Sequence, residues 1–148
     1  MTLLVPFDNS PLSTAALKTA AEYGDRTDET VLALTVIPDD MEYALERDWL
    51  YDYEAFDTKT IAEKMREAIA EHAPKAEFRY EVVDSDEPTA TPTTDVVREI
   101  RRVAGDVGAT VVFVGTENAG SVTTPLSSVG GPVANDPQYD VYIVRHAD

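Results

Sequence analysis

Apolar and polar stretches alternate along this chain with the spacing of alternating strands and helices. Five short segments, each bounded by proline, glycine or polar residues, predict strands at 2–7, 30–37, 77–83, 109–114 and 141–144. Between them, apolar residues recur at helical spacing. The helices predicted by this spacing begin after the cap Ser10, before Ile61, at Thr93 or Thr94, and at Ser127 or Ser128, and Gly24 is predicted to end the first of them.

This order predicts the fold class. Strands that alternate with helices and read as apolar runs indicate an α/β fold, with a parallel sheet covered by helices on both faces. We expect a five-stranded parallel sheet with strand order 3-2-1-4-5, of the Rossmann-like kind. Ligands of such sheets bind where the winding reverses, here between strands 1 and 4. The 148 residues show no repeat or linker, which predicts a single domain over 1–148.

Composition narrows the possible partners. The chain has 28 acidic and 12 basic residues and a net charge of −16, which argues against nucleic acid as a partner. No apolar run is long enough for a membrane span, and the N-terminus does not resemble a signal peptide, so we expect no membrane partner and a cytoplasmic location. Without cysteine, disulfides and zinc–thiolate sites are excluded.

The acidity is of a particular kind. Only four of the basic residues are lysines, and small polar residues are abundant. Such a surface suits concentrated salt, where charge repulsion is screened. We therefore expect a halophilic host; the alternative is an acidic protein of an ordinary host. Stability measured over a series of salt concentrations distinguishes the two.

The residues at the strand ends resemble those of the universal stress protein family. The segment Leu4–Ser13 (LVPFDNSPLS) is similar to the family's first strand and turn, and 34–38 (LTVIP) to the end of its second strand. The segments 111–115 and 141–145 resemble its last two strands, so the similarity covers nearly the whole chain. The resemblance implies a UspA-like stress-response module, in some members ATP-binding, and a homodimer joined through the last strand.

The resemblance also implies ligand-binding residues. Asp8 would bind the ribose beside Pro6, and Val36 would meet the adenine through its backbone. The phosphates would meet the backbone of Gly115, Ser127, Ser128 and Val129. Each position has a structural alternative: Asp8 as a helix cap, Val36 as core, Gly115 in a tight turn, and Ser127 or Ser128 as a cap.

The glycine pattern leaves two functional interpretations open. The family's ATP-binding members carry Gly, two residues, Gly, nine residues, then Gly-Ser or Gly-Thr; here Asn118 stands at the second glycine and Ser127-Ser128 near the closing pair. One interpretation is a module that binds an adenine nucleotide, ATP or AMP, with Mg²⁺ and at most slow hydrolysis. The other is a dimeric interaction protein that binds no nucleotide.

No residue pattern indicates catalysis or a resident metal. His72 lies near a helix end, where its charge suits the helix dipole, and no kinase-type phosphate loop is present. The aromatic and acidic segment 41–56 is expected to pack on the sheet, or else to form a lid or partner surface. The last strand, Val141, Tyr142, Ile143 and Val144, is an apolar edge that invites pairing with a second chain.

Overall fold

The elements follow the predicted order along the chain. A computed structural model describes residues 1–51, 55–84, 92–116 and 139–147. The strands are β1 (Thr2–Pro6), β2 (Thr30–Pro38), β3 (Glu77–Val83), β4 (Ala109–Gly115) and β5 (Asp140–Val144). The helices are α1 (Pro11–Thr27), α2 (Met41–Glu46), α3 (Thr58–His72) and α4 (Pro92–Asp106). The helix predicted from Ser127 or Ser128 lies outside the described residues.

The five strands form one parallel sheet in the order β3-β2-β1-β4-β5, which confirms the predicted topology. The first strand is central. It pairs with β2 from Thr2 opposite Thr30 to Pro6 opposite Leu34, and with β4 on its other side. The strand order therefore reverses between β1 and β4, as a ligand crevice requires.

Helices cover both faces of this sheet. Side chains of α1 and α3 pack on one face, around Leu3, Val5 and Phe113, and α4 packs on the other face, around Leu4, Leu34 and Val112. The central strands are apolar on both faces because both faces are buried. None of the described helices combines the length and the hydrophobicity that a membrane crossing requires.

The first helix begins as its sequence predicts but ends later. Ser10 is the N-cap, its hydroxyl accepting a hydrogen bond from the Ser13 backbone N–H at 3.2 Å, and Pro11 follows at the first helical position. The helix continues through Gly24 to Thr27, and Asp28 (φ 59°) is the left-handed C-cap. Gly24 is required for another reason: a Cβ there would lie 2.8 Å from the Glu29 carbonyl oxygen.

The described part of the aromatic segment 41–56 packs several of its side chains into the core. Ala44, Trp49 and Leu50 are buried in the same core as α1 and α3, and Phe56 packs against that core. Tyr51, in contrast, is 65% exposed. The segment thus contributes to the core, as one of the two sequence interpretations expected.

Candidate functional site

The carboxyl ends of β1 and β4 meet at the first turn of α1. The chain leaves β1 at Pro6 and reaches the helix cap Ser10 within four residues. The end of β4 lies against the same turn, because a Cβ at Gly115 would come within 2.8 Å of the Leu12 Cβ. Helix N-termini present unpaired N–H groups, so this edge of the sheet is suited to a polar or anionic ligand.

Asp8 forms a tight turn ahead of the helix. Its Oδ1 accepts a hydrogen bond from the Ser10 N–H at 3.0 Å, and its own N–H donates to the Ser13 hydroxyl at 3.4 Å. Asn9 between them has φ 63°, a left-handed conformation that asparagine tolerates. The cap of α1 is therefore Ser10, and the alternative of Asp8 as the cap is wrong; Asp8 instead shapes the loop that leads to the cap.

Two side chains from the β2 side support this loop. Thr35, almost fully buried, donates its hydroxyl to the Phe7 carbonyl oxygen at 2.8 Å. The Trp49 indole N–H donates to the Asp8 carbonyl oxygen at 2.9 Å. Both carbonyls follow the end of β1 and have no place in the β-ladder, and these bonds satisfy them.

A cavity of about 580 Å³ opens beside the Asp8 turn. Its lining comes from the β1–α1 loop and from the end of α2: Asp8, Asn9, Ser10, Pro11, Glu46, Arg47 and Asp48. The volume lies within the roughly 300–1,000 Å³ of small-molecule sites. Three carboxylates and one guanidinium line it, so the lining carries a net negative charge.

Tyr43 links Arg47 to the core at the wall of this cavity. The Arg47 guanidinium carbon lies 3.3 Å from the centroid of the Tyr43 ring, and that ring packs edge-on against Trp49 at 5.7 Å. Burial raises the pKa of the Tyr43 hydroxyl above its ordinary value, with Arg47 opposing the rise and the Asp8 charge adding to it. Tyr43, Arg47 and Asp8 therefore form one electrostatic group.

The structure brings four of the predicted ligand residues to this edge of the sheet. Pro6 ends β1, Asp8 forms the turn, and Gly115 ends β4. Val36 lies on β2 two residues beyond the last β1–β2 pair, Pro6 with Leu34, and its side chain is buried. The other predicted phosphate residues, Ser127, Ser128 and Val129, lie outside the described residues.

The sequence did not single out Arg47 and Trp49 as residues of this site. Both belong to the aromatic segment, whose position beside the crevice depends on how the chain folds back after β2. A usable signal existed in the sequence: this segment follows a strand end at the ligand edge, and Arg47 is its only basic residue.

A second cavity, of about 560 Å³, lies at the amino ends of the strands, opposite the carboxyl ends that carry the Asp8 turn. Thr30 at the start of β2 and Glu77 at the start of β3 line it, together with His72. His72 therefore lies away from the Asp8 turn. Among the described residues, no three His, Asp or Glu side chains are grouped so as to hold a metal ion.

The last strand is an edge of the sheet. Tyr142 stacks on Phe113 of β4 at 5.1 Å between ring centroids, yet 46% of its surface remains exposed. Ile143 is 37% exposed, whereas Val144 is buried and Val141 packs partly buried against the α4 side of the core. Among the described residues, β5 pairs with β4 on one side only, and it presents apolar side chains beside that open side.

Comparison with known proteins gives a family and a set of similar folds. The model of the universal stress protein family matches residues 1–145. Among the curated proteins, none matches the chain significantly.

Three solved structures illustrate the similarity of fold. A universal stress protein in complex with cAMP is 20% identical, with a TM-score of 0.56 over 100% of this chain and 98% of that one. A family member from Burkholderia pseudomallei is 16% identical, with a TM-score of 0.58 over 98% and 96% of the two chains. The Archaeoglobus fulgidus protein in complex with dAMP is 14% identical, with a TM-score of 0.54 over 97% and 96%.

Proposed function

Since the chain belongs to the universal stress protein family, we propose that it is a regulatory binding module that takes an adenine nucleotide, ATP or AMP, in the crevice between β1 and β4. Two solved structures of similar fold hold adenine nucleotides, cAMP in one and dAMP in the other. The fold supplies the place for the ligand, and the residues of this chain supply the contacts.

The Asp8 turn is the observation that carries this proposal. One carboxylate oxygen is held by the Ser10 N–H, and the Trp49 indole holds the carbonyl of the same residue. A carboxylate held in this way is suited to accept hydrogen bonds from the hydroxyls of a ribose. Pro6 would line the same wall, and the backbone of Val36 would meet the base.

The phosphates would meet the backbone of Gly115, Ser127, Ser128 and Val129. Backbone N–H groups at helix starts bind phosphate without a basic side chain. A nucleotide with two or three phosphates would bring Mg²⁺, which binds phosphate oxygens. Of the proposed ligand residues that the structure describes, Asp8 alone lines the cavity of about 580 Å³, which would hold the part of the ligand next to Asp8.

Calorimetric titration of the full chain with ATP and Mg²⁺, and with AMP, in concentrated KCl tests the proposal. We expect a Kd tighter than about 100 μM, and a roughly tenfold loss of affinity in Asp8→Asn, which keeps the shape but removes the charge. Asp25→Asn is the control. Asp25 lies by the cavity at the amino ends of the strands, so this variant should bind as the unchanged chain does. No heat with any adenine nucleotide would contradict the proposal.

A second candidate function is a dimeric interaction protein that binds no nucleotide. The exposed apolar edge of β5, with Tyr142 and Ile143, favours a homodimer joined through this strand. We propose this homodimer for both candidate functions. Hydrolysis would be slow at most, because the sequence offers no nucleophile with a base at motif distance.

We also propose a cytoplasmic location in a halophilic host. The net charge of −16 with only four lysines supports concentrated salt as the working medium. The absence of cysteine from the chain is compatible with a reducing compartment.

A further inference from the structure

Arg47 occupies a special position in the cavity beside the Asp8 turn. Of the described residues that line this cavity, it alone is basic, and three carboxylates line the same cavity: Asp8, Glu46 and Asp48. From Glu117 to Val144 the sequence contains no lysine or arginine at all. The positive charge available to an anion at this crevice is therefore concentrated in one side chain.

Contacts to the core hold this guanidinium in place. It stacks on the Tyr43 ring, with 3.3 Å from its central carbon to the ring centroid, and Nη1 donates to the Tyr43 carbonyl oxygen at 3.5 Å. Tyr43 is held by the hydrogen bond from its N–H to Asp40 Oδ1, at 3.0 Å, and by the edge-on contact with Trp49. Trp49 in turn binds the Asp8 carbonyl oxygen.

Stacking of this kind leaves a guanidinium able to bind an anion. Its N–H donors lie in its plane, one of them bonded to the Tyr43 carbonyl oxygen, whereas the Tyr43 ring occupies only one face. Since Tyr43 and Trp49 connect it to the Asp8 turn, little side-chain entropy is lost when a ligand is bound. The arrangement is thus preorganised for one phosphate group beside a ribose held by Asp8.

We propose that Arg47 is a further phosphate-contacting residue, in addition to the backbone groups proposed above, and that it determines specificity: the site prefers adenine nucleotides with a single phosphate group to di- and triphosphates. This inference rests on the proposed function. A phosphate monoester carries a charge of about −1.5 to −2 at neutral pH, and the single guanidinium offsets part of it. Each further phosphate would add negative charge near Glu46 and Asp48 with no second cation from the described lining to oppose it.

Calorimetric titrations of the full chain with adenosine, AMP and ATP in 1 M KCl without Mg²⁺ test this proposal. We expect AMP to bind at least about fivefold more tightly than ATP. Arg47→Gln should weaken AMP binding about tenfold, as the loss of one charge-assisted contact does, but adenosine binding less than about twofold. Arg47→Lys, which keeps the charge but not the planar donors, should give an intermediate AMP affinity.

The control variant is Arg26→Gln, which removes the same charge from the last turn of α1, about 22 Å along the helix from its first turn. It should bind all three ligands as the unchanged chain does. Equal weakening of adenosine and AMP in Arg47→Gln would mean a merely structural role and would overturn the assignment. ATP binding as tight as AMP binding would overturn the stated preference.

The two proposals fail in distinguishable ways. If none of the three ligands binds to the unchanged chain, the nucleotide function itself is wrong and this inference falls with it. If binding depends on Asp8 but the ratio of AMP to adenosine affinity is the same with and without Arg47, only the role of Arg47 is wrong.

Discussion

At the residue scale, Gly115 owes its identity first to packing. A Cβ at this position would lie 2.8 Å from the Leu12 Cβ, closer than side chains come in folded proteins. The sequence suggested a phosphate contact or a tight turn. The structure adds that β4 can approach α1 only with glycine here, so a bulky substitution would disturb the crevice by misplacing α1.

Gly115→Ala should therefore lower the free energy of unfolding by about 1–3 kcal/mol, the cost of overpacking a core. Gly105→Ala is the matched control, because a Cβ on that residue of α4 would meet nothing within 4 Å. Alanine in a helix should instead raise the free energy of unfolding by about 0.5–1 kcal/mol. Urea unfolding at constant salt measures both; equal effects would show that Leu12 accommodates a Cβ.

Also at the residue scale, the Tyr43 hydroxyl makes the stability of the protein depend on pH. Burial raises the folded-state pKa of this hydroxyl above the ordinary 10.0. The folded protein then retains a proton that the unfolded chain loses, so stability is fully present below pH 10 and falls as the pH rises towards the folded-state pKa.

Tyr43→Phe should accordingly reduce the loss of unfolding free energy between pH 9 and pH 11. The sign is opposite to that of a buried carboxylate paired with a cation, which loses stability in acid. Tyr51→Phe is the control, because that ring is 65% exposed. Denaturant midpoints across this pH range measure the effect, and parallel pH curves for the unchanged chain and Tyr43→Phe would refute it.

At the scale of elements, the two edge strands differ in what they offer a partner. The outer strand β5 exposes Tyr142 and Ile143, and β3 at the other edge exposes Val82. On β3, however, the neighbouring positions carry Arg79 and Glu81, joined by an ion pair at 2.8 Å. Charged side chains on an edge discourage pairing with another sheet, so β5 is the better interface.

A lysine on β5 should therefore dissociate the proposed homodimer. We expect light scattering to give about twice the 16.2 kDa chain mass for the unchanged protein and the single-chain mass for Ile143→Lys. Val82→Lys places the same charge on the opposite edge and should leave the dimer intact. A single-chain mass for the unchanged protein at every salt concentration would disprove the interface.

The segment from α2 to Tyr51 contributes both to the core and to the wall of the cavity. Its buried members, Ala44, Trp49 and Leu50, complete the core on the α1 and α3 face. Lys64 of α3 donates to the Trp49 carbonyl oxygen at 2.9 Å, which ties the segment to that helix. Packing thus holds the segment beside the crevice, so Arg47 projects from a supported element.

At the scale of the whole molecule, the excess of negative charge governs stability. The 148 residues carry a net charge of −16, and in dilute buffer the negative side chains repel one another. Described ion pairs, such as those of Arg102 with Asp106 and Glu81, lie on the surface, where such pairs stabilise little. Screening by salt, rather than pairing, is therefore the effective way to relieve the repulsion.

The free energy of unfolding should rise when KCl is increased from 0.1 M to 2 M, since the Debye length falls from about 10 Å to about 3 Å at 1 M. A triple variant, Glu22→Gln, Glu67→Gln and Glu71→Gln, neutralises three exposed carboxylates and changes the net charge from −16 to −13. It should show a smaller salt response. Stability that is unchanged or falls with salt would disprove the halophilic interpretation.

Much of the fold could be predicted because its signals are local. Apolar runs, the Ser10–Pro11 cap and the proline and glycine stops depend on neighbours within a few residues, and the strand order followed from the α/β pattern and the resemblance. The end of α1 was misplaced at Gly24, because glycine there serves a close contact with the Glu29 carbonyl oxygen and not a helix end. The contact lies only five residues along the chain, but it depends on the left-handed turn at Asp28 that ends the helix.

The sequence by itself determined the class of fold, the acidic surface and the place of Asp8 at a strand end. These follow from periodicity and composition, which are properties of the chain alone. Only the tertiary structure decided that Trp49 binds the carbonyl of Asp8 and that Arg47 stands at the same cavity. Residues 41 positions apart meet there because the chain returns across the sheet edge after β2, and such contacts depend on packing that no local pattern encodes.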